Sequence, residues 1–355
     1  MRPISVVWSP SCLKHRPERE VWVGVATPGT EVPERVSVIR DVLGKAGHPF
    51  VEAQAYDDDT LGRVHSRRLT DHLRGVHDAW VAAGFVEDPG QDRVVPYVFP
   101  TAAMLGGIPM HPASAVHGRA GEFCYDTMTL VGRGTWEAAR AAVDCALTAA
   151  HRVLEGEHAV YALCRPPGHH VTANAYGGSC YLNNAAVAAQ ALRDGGHDRV
   201  AVVDVDAHHG NGTQAIFYPR GDVFYGSVHV DPGAGWFPHF VGYADEAGVD
   251  QGFGSNLNLP VVPGSGDSEF LAGVRELAEA VTLHGSTAIV VSLGVDAAAD
   301  DPESPLQVTE QGYRQAGEVL LDQLDLPSVI VQEGGYHLPT LGRLVAAFVS
   351  AASSP

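Results

Sequence analysis

The chain has 355 residues, 45% of them hydrophobic, and a formal net charge of -19. That length can bury a large core, and α/β folds of this size often run as one unit, so a single domain over residues 1–355 is expected. The acidic balance makes a phosphate-tracking surface, and with it a nucleic-acid partner, a poor fit. It favours cationic substrates or simply serves solubility. No apolar run approaches the roughly 20 residues that cross a bilayer, and Met1 to Ser11 shows no signal-peptide pattern. The expectation is a cytoplasmic protein with no membrane partner. Cys12, Cys124, Cys145, Cys164 and Cys180 are odd in number and include no CxxC pair, which argues against a disulfide framework or a thiolate zinc site.

In chain order, PISVVW (3–8) reads as a short strand, and helical patterns follow near 33–46 and 69–83. The stretch 85–133, rich in Gly, Pro and His, reads as one long loop insertion, a length that is usually functional or disordered. Gly134-Thr135 then opens an amphipathic helix to Leu154, AVYALC (159–164) reads as a strand, and Asn183 can cap a helix through Arg193. Four further apolar strands are expected at 199–206, 222–229, 287–294 and 327–334, with helices at 267–284, 309–324 and 340–352. Apolar strands alternating with helices imply a three-layer α/β/α fold whose central, mainly parallel sheet is covered on both faces. In such sheets the site lies outside the carboxyl ends of the strands, where this chain's polar residues collect.

The run RVAVVDVDAHHGNGTQ is the most informative. Alternate residues of an extended segment share a face, so Asp204, Asp206 and His208 project together as the strand leaves the sheet. Burying three such groups without a partner would be prohibitive, and a metal resolves the problem. Asp206 and His208 suit zinc, Asp204 is left to orient a histidine, and a second strand delivers Asp296. Two carboxylates and one imidazole leave a coordination position open, as catalytic sites do and structural ones do not. Each piece also has a plainer reading. A strand-end aspartate is commonly a cap, EGGYH (333–337) is compatible with a bare glycine turn, and His209, of opposite parity, reads as structural. His169 and His170 follow Pro166-Pro167-Gly168 and so sit on a loop.

The set PGHH, DVDAHHGNGTQ, GVD and EGGY, in this order, resembles the histone deacetylase superfamily, zinc hydrolases on an arginase-like α/β fold. RPPGHH, CYLNNAAVAAQ, HGNGTQ, IFY, FPHFVGYADE and VVSLGVD are similar to its bacterial acetylpolyamine amidohydrolase branch. The resemblance implies Asp206, His208 and Asp296 as zinc ligands and His169 and His170 as the residues that handle protons. It implies Asp204 and Asn211 as their partners, and Tyr336 as the phenol that stabilises the oxyanion. A neutral Asn211 should leave His170 closer to neutral than a carboxylate would, as a general base needs. A monovalent cation, K+ or Na+, would sit on Asp204, Asp206, His208, Ser227 and Val228. The implied reaction is hydrolysis of an N-acetyl amide to acetate and a free amine, in a homodimer whose long loop narrows the channel.

Two departures bear on the substrate. Where the branch has a channel aromatic before the loop cysteine, this chain has Ser179 after Gly178, while Phe237 and Trp236 keep the opposite wall. Where it offers an acid for a distal ammonium, this chain has His117, with Glu122 or Asp126 as substitutes. The leading expectation is a deacetylase of acetylpolyamines or related small N-acyl amines. The alternatives are an acetyl-lysine protein or peptide deacetylase, and a catalytically silent binder of acyl amines. An arginase-type ureohydrolase needs a second metal, and the tandem histidines and Tyr336 argue against it.

Overall fold

The computed structural model describes residues 3–353, so the ends of the expected 1–355 domain, Met1, Arg2, Ser354 and Pro355, lie outside it. The strands, in chain order, are β1 (Ser5–Trp8), β2 (Arg19–Trp22), β3 (Val25–Pro28), β4 (Phe50–Glu52), β5 (Ala159–Ala162), β6 (Val200–Asp204), β7 (Val223–Val230), β8 (Asn256–Val261), β9 (Ala288–Leu293) and β10 (Ser328–Gln332). Eight of them form one sheet in the order β4-β1-β5-β10-β9-β6-β7-β8, and every neighbouring pair in it is parallel. β2 and β3 form a separate antiparallel hairpin.

The helices are α1 (Glu34–Lys45), α2 (Arg67–Ala82), α3 (Ala102–Leu105), α4 (Val116–Phe123), α5 (Thr135–Leu154), α6 (Asn184–Asp194), α7 (Asn211–Phe217), α8 (Asp267–His284), α9 (Glu310–Gly317) and α10 (Leu338–Val349). Strand parity splits the core in two. Val160, Ala162, Val200, Val202, Val290 and Val329 pack with α2, α4, α5 and α6 on one face. Tyr161, Ala201, Val203, Ile289, Val291 and Ile330 pack with α1, α8, α9 and α10 on the other. Burying each such side chain contributes about 1.5–3 kcal/mol, so strands apolar at every position are stable only between two helical layers. The three-layer expectation therefore holds.

One local expectation holds with its mechanism. The Asn183 side chain accepts the Ala186 N–H at 2.9 Å and caps α6, and its amide donates to the Val171 carbonyl at 3.0 Å. The same residue thus starts a helix and pins the loop that follows the tandem histidines.

Other elements differ. The 85–133 insertion contains α3 and α4 and is not one bare loop. The helix expected over 309–324 is α-helical only to Gly317 and continues as a π-helical turn over Glu318–Gln323. There the backbone of α10 passes so close that a Cβ on Gly317 would collide with the Phe348 carbonyl. β4 is three residues long, too short for periodicity to register. β8 inverts the usual pattern, burying Asn256 and Asn258 while Leu257 and Leu259 are half-buried. Its asparagines reach Gln214 and Glu246, contacts that only the assembled sheet supplies. Among the described residues no helix is long and apolar enough to cross a membrane.

Candidate active site

The strands β5, β10, β9 and β6 are consecutive in the sheet, and their carboxyl ends run into the four motifs. Beyond β5 come Arg165 and the tandem histidines, beyond β10 the turn Glu333 to Tyr336, beyond β9 Gly294 and Asp296, and beyond β6 Asp206 and His208. Sites in open α/β sheets form at this edge because helix termini and loops converge there.

Asp206, His208 and Asp296 each bring a ligand atom within 4.8 Å of the others. His208 Nδ1 lies 3.0 Å from Asp296 Oδ2 and 3.3 Å from Asp206 Oδ1. The backbone holds both carboxylates: Ala207 N–H donates to Asp296 Oδ1 at 2.9 Å, and Gly334 N–H to Asp206 Oδ2 at 2.8 Å. A Cβ on Gly294 would collide with the Asp206 carboxylate, so the close approach requires glycine there. Burial, and then Asp206, push Asp296 up to about 7. Burial opposes charge on His208, but the two carboxylates outweigh it and push the imidazole well above its usual value. By itself the cluster therefore demands a cation, and a divalent metal meets that demand with the same two oxygens and one nitrogen.

The tandem histidines are differentiated by their partners. His169 Nδ1 lies 3.0 Å from Asp204 Oδ2; burial works against its charge, but Asp204 and Asp206 outweigh it and lift it to about 10. His170 Nδ1–H donates to Asn211 Oδ1 at 2.7 Å, and burial, with His169 4.0 Å away between ring centroids, pushes it well below its usual value. Held through Nδ1, His170 stays neutral and keeps Nε2 free to accept a proton. The Tyr336 phenol is pushed well above its usual value, chiefly by burial, and so remains a donor.

A buried ionic network spans the loops beyond β5 and β10. Glu31 accepts from Arg35 Nη1 at 3.1 Å and from Arg165 Nη2 at 3.0 Å. Arg35 donates to the Glu333 and Gly335 carbonyls, and its guanidinium lies 4.8 Å over the Tyr336 ring. The Glu333 carboxylate returns the tie, accepting Gly168 N–H at 2.6 Å and His169 N–H at 3.2 Å. Breaking one partner out of a buried pair costs about 3–5 kcal/mol, so these loops are stiffly set relative to each other. Asp301 adds a second clamp, accepting Tyr336 N–H at 2.6 Å. Glu333 opens the EGGY motif, but its carboxylate's tie to the tandem-histidine loop is not marked there, and Glu31, Arg35 and Asp301 are not singled out by motif, because the loop groups they hold lie far along the chain.

A cavity of about 550 Å³ opens on His170, His208 and Tyr336. Gly178, Ser179, Trp236 and Phe237 line it. Phe237 presents its ring at 89° to His170, 4.8 Å between centroids, and Ser179 is held at φ 60° with its N–H donating to Thr129 Oγ1 at 2.8 Å. His117 and Glu122 do not line it, a correction to the expected channel. His117 packs on Phe85 and Tyr97, and Glu122 is ion-paired with Arg68. The Asp126 carboxylate is occupied by the N–H groups of Gly178, Met128 and Thr129. In their place the hairpin contributes Glu20 and Trp22, and the loop beyond β9 contributes Glu303. His209, read as structural, is buried against Gln214 and Asn258.

The histone deacetylase domain model matches residues 29–352. The chain belongs to the histone deacetylase family. It is 37% identical to the acetylpolyamine amidohydrolase of Mycoplana ramosa over 342 residues, covering 96% of this chain and 97% of that one. It is 41% identical to the acetylpolyamine amidohydrolase of Burkholderia pseudomallei (strain 1710b) over 314 residues, 88% of this chain and 87% of that one. The crystal structure of acetylpolyamine aminohydrolase from Burkholderia pseudomallei superposes with a TM-score of 0.92 at 37% identity, covering 99% of both chains. As a member of this family, the chain is a hydrolase acting on amide bonds.

Proposed function

We propose that the chain is a zinc-dependent deacetylase of small N-acetylated amines, with acetylpolyamines as its leading substrates. The observation that carries this reading is the meeting at one cavity of a neutral His170, a protonated Tyr336 and His208 of the Asp206-His208-Asp296 cluster. Zinc held by those three residues supplies a Lewis acid for the acyl oxygen and lowers the pKa of water. His170 Nε2 takes a proton from the attacking water as its oxygen adds to the acyl carbon. The Tyr336 phenol donates to the oxygen that gains negative charge. Charged His169, held by Asp204, adds positive potential beside it. As the carbon–nitrogen bond breaks, His170 returns its proton to the leaving nitrogen, and acetate and a free amine result.

The relatives that match over nearly their whole length carry acetylpolyamine names, which supports this substrate class. Ser179 in the wall favours a second reading, an acetyl-lysine peptide deacetylase, because a wider slot admits a bulkier chain. A panel of N-acetylputrescine, N-acetylcadaverine, acetylspermidine and an acetyl-lysine peptide, run beside zinc analysis, separates the two. We expect about one zinc per chain and a kcat/KM at least about tenfold higher on the small amines. A peptide preferred over all three amines would overturn the substrate, and zinc-loaded protein inert on all four would overturn the activity.

The buried strand end would also hold K+ or Na+ on Asp204, Asp206, His208, Ser227 and Val228; Asp204 and Ser227 are register partners across β6 and β7. The chain is further proposed to act as a homodimer through its 85–133 insertion, where Tyr97, Met104 and Ile108 are exposed, near-fully exposed Phe240 being a further apolar group outside it. Sedimentation should give twice the chain mass at micromolar concentration, and a monomer there would refute the dimer.

A further inference from the structure

We infer that Tyr125, supplied by the long insertion, is a positioning residue for the reaction: its hydroxyl orients Asn211 and thereby decides which nitrogen of His170 is left free as the base. The inference rests on the deacetylase reading above and deepens it from His170 outward. The Tyr125 hydroxyl donates to the His170 carbonyl at 2.8 Å. Its backbone is fixed to the same loop, with Tyr125 N–H donating to the Tyr176 carbonyl at 3.2 Å and Tyr176 N–H to the Phe123 carbonyl at 2.7 Å. Two glycines permit this approach: a Cβ on Gly177 would collide with the Tyr125 ring, and one on Gly178 with the His170 imidazole. Tyr125 is not among the residues that line the cavity at His170, His208 and Tyr336. Its ring instead stacks at 14° on Phe237, 6.4 Å between centroids.

The chemistry of the hydroxyl supplies the rest. A phenol has one proton to donate, and burial above all pushes the Tyr125 hydroxyl well above its usual pKa, so the proton stays. With that proton directed to the His170 carbonyl, the oxygen can only accept from its other neighbour, the Asn211 side chain, whose hydrogen-bonding contact works to lower its pKa. The donor to it must be Asn211 Nδ2, which turns Oδ1 toward His170, where it accepts Nδ1–H at 2.7 Å. The ring proton is thereby held on Nδ1, and Nε2 is the free nitrogen. With the amide reversed, Nδ2–H would face Nδ1, the imidazole would carry its proton on Nε2, and the base would be lost. The two ends of an asparagine amide are nearly equal in size and opposite in hydrogen bonding, so a further group has to set its orientation. An aspartate at this position, with two equivalent oxygens, would need none. Asn211 and the hydroxyl of Tyr125 therefore act as one unit.

The test is a double-mutant cycle of Tyr125→Phe and Asn211→Asp on the zinc-loaded full chain, with kcat and KM measured on N-acetylputrescine. Each substitution keeps nearly the same side-chain shape, so folding is not at risk. Tyr125→Phe should lower kcat about tenfold, the scale of one lost hydrogen bond, and leave KM within about twofold, because the ring does not line the substrate cavity. In the Asn211→Asp background there is no wrong orientation to adopt, so the same substitution should lower kcat by less than about threefold. An equal loss in both backgrounds makes Tyr125 merely structural and overturns the inference, as does a single-variant loss of less than about threefold. An unaltered zinc-loaded chain that is inert on N-acetylputrescine removes the deacetylase reading, whereas equal activity in the unaltered chain and Tyr125→Phe removes the role of Tyr125 alone.

Discussion

Tyr336→Phe should lower kcat by about two to three orders of magnitude, the usual loss when one donor to a developing oxyanion is removed. The zinc content should stay near one per chain and KM should change little. The substitution removes one oxygen and leaves the ring under Arg35, whose hydrogen bonds go to the Glu333 and Gly335 carbonyls and not to the phenol. The backbone clamp from Asp301 to Tyr336 N–H is likewise independent of the side chain. A stability loss therefore cannot account for the effect, and thermal unfolding at the wild-type temperature would confirm that. Single-turnover kinetics on N-acetylputrescine with kcat within about tenfold of wild type would remove Tyr336 from the mechanism.

His208→Ala should abolish stoichiometric zinc and deacetylation together. His208 supplies the only nitrogen of the Asp206-His208-Asp296 cluster, and two carboxylates alone are a poor site for a borderline-soft metal. The rest of the site should persist, since Asp206 and Asp296 are each held by a backbone N–H that the substitution does not touch. Without a cation between them, one of these buried acids takes a proton, and Asp296, already pushed up to about 7, is the natural place for it. Elemental analysis after dialysis, paired with far-UV circular dichroism, checks this. Wild-type zinc in a folded His208→Ala chain would show that the metal sits elsewhere.

Much of this protein is written locally. Continuous apolar strands, helix caps such as Asn183, and the i, i+2 spacing of Asp206 and His208 are short-range patterns, readable because neighbours in sequence set which face a side chain takes. The rule that α/β sites gather at strand carboxyl ends puts Asp296, the tandem histidines and EGGY at one edge, and the family resemblance implies the roles of His170 and Tyr336. The tertiary structure alone decided what depends on distant partners. Glu31 lies 134 residues from Arg165, so nothing along the chain marks it as the acid that joins the loops beyond β5 and β10, and Arg35 reads as one more charge on an amphipathic helix. Asp301 sits in the acidic run DDPESP, and only the fold ties it to the Tyr336 backbone. His117 and Glu122 left the channel for the same reason, because alignment along a long insertion conveys no direction. The candidate catalytic residues are legible because the chemistry restricts their types and local spacing and because their motifs carry the family resemblance. Residues that position them or select the substrate become identifiable only once packing has removed their water and chosen their neighbours.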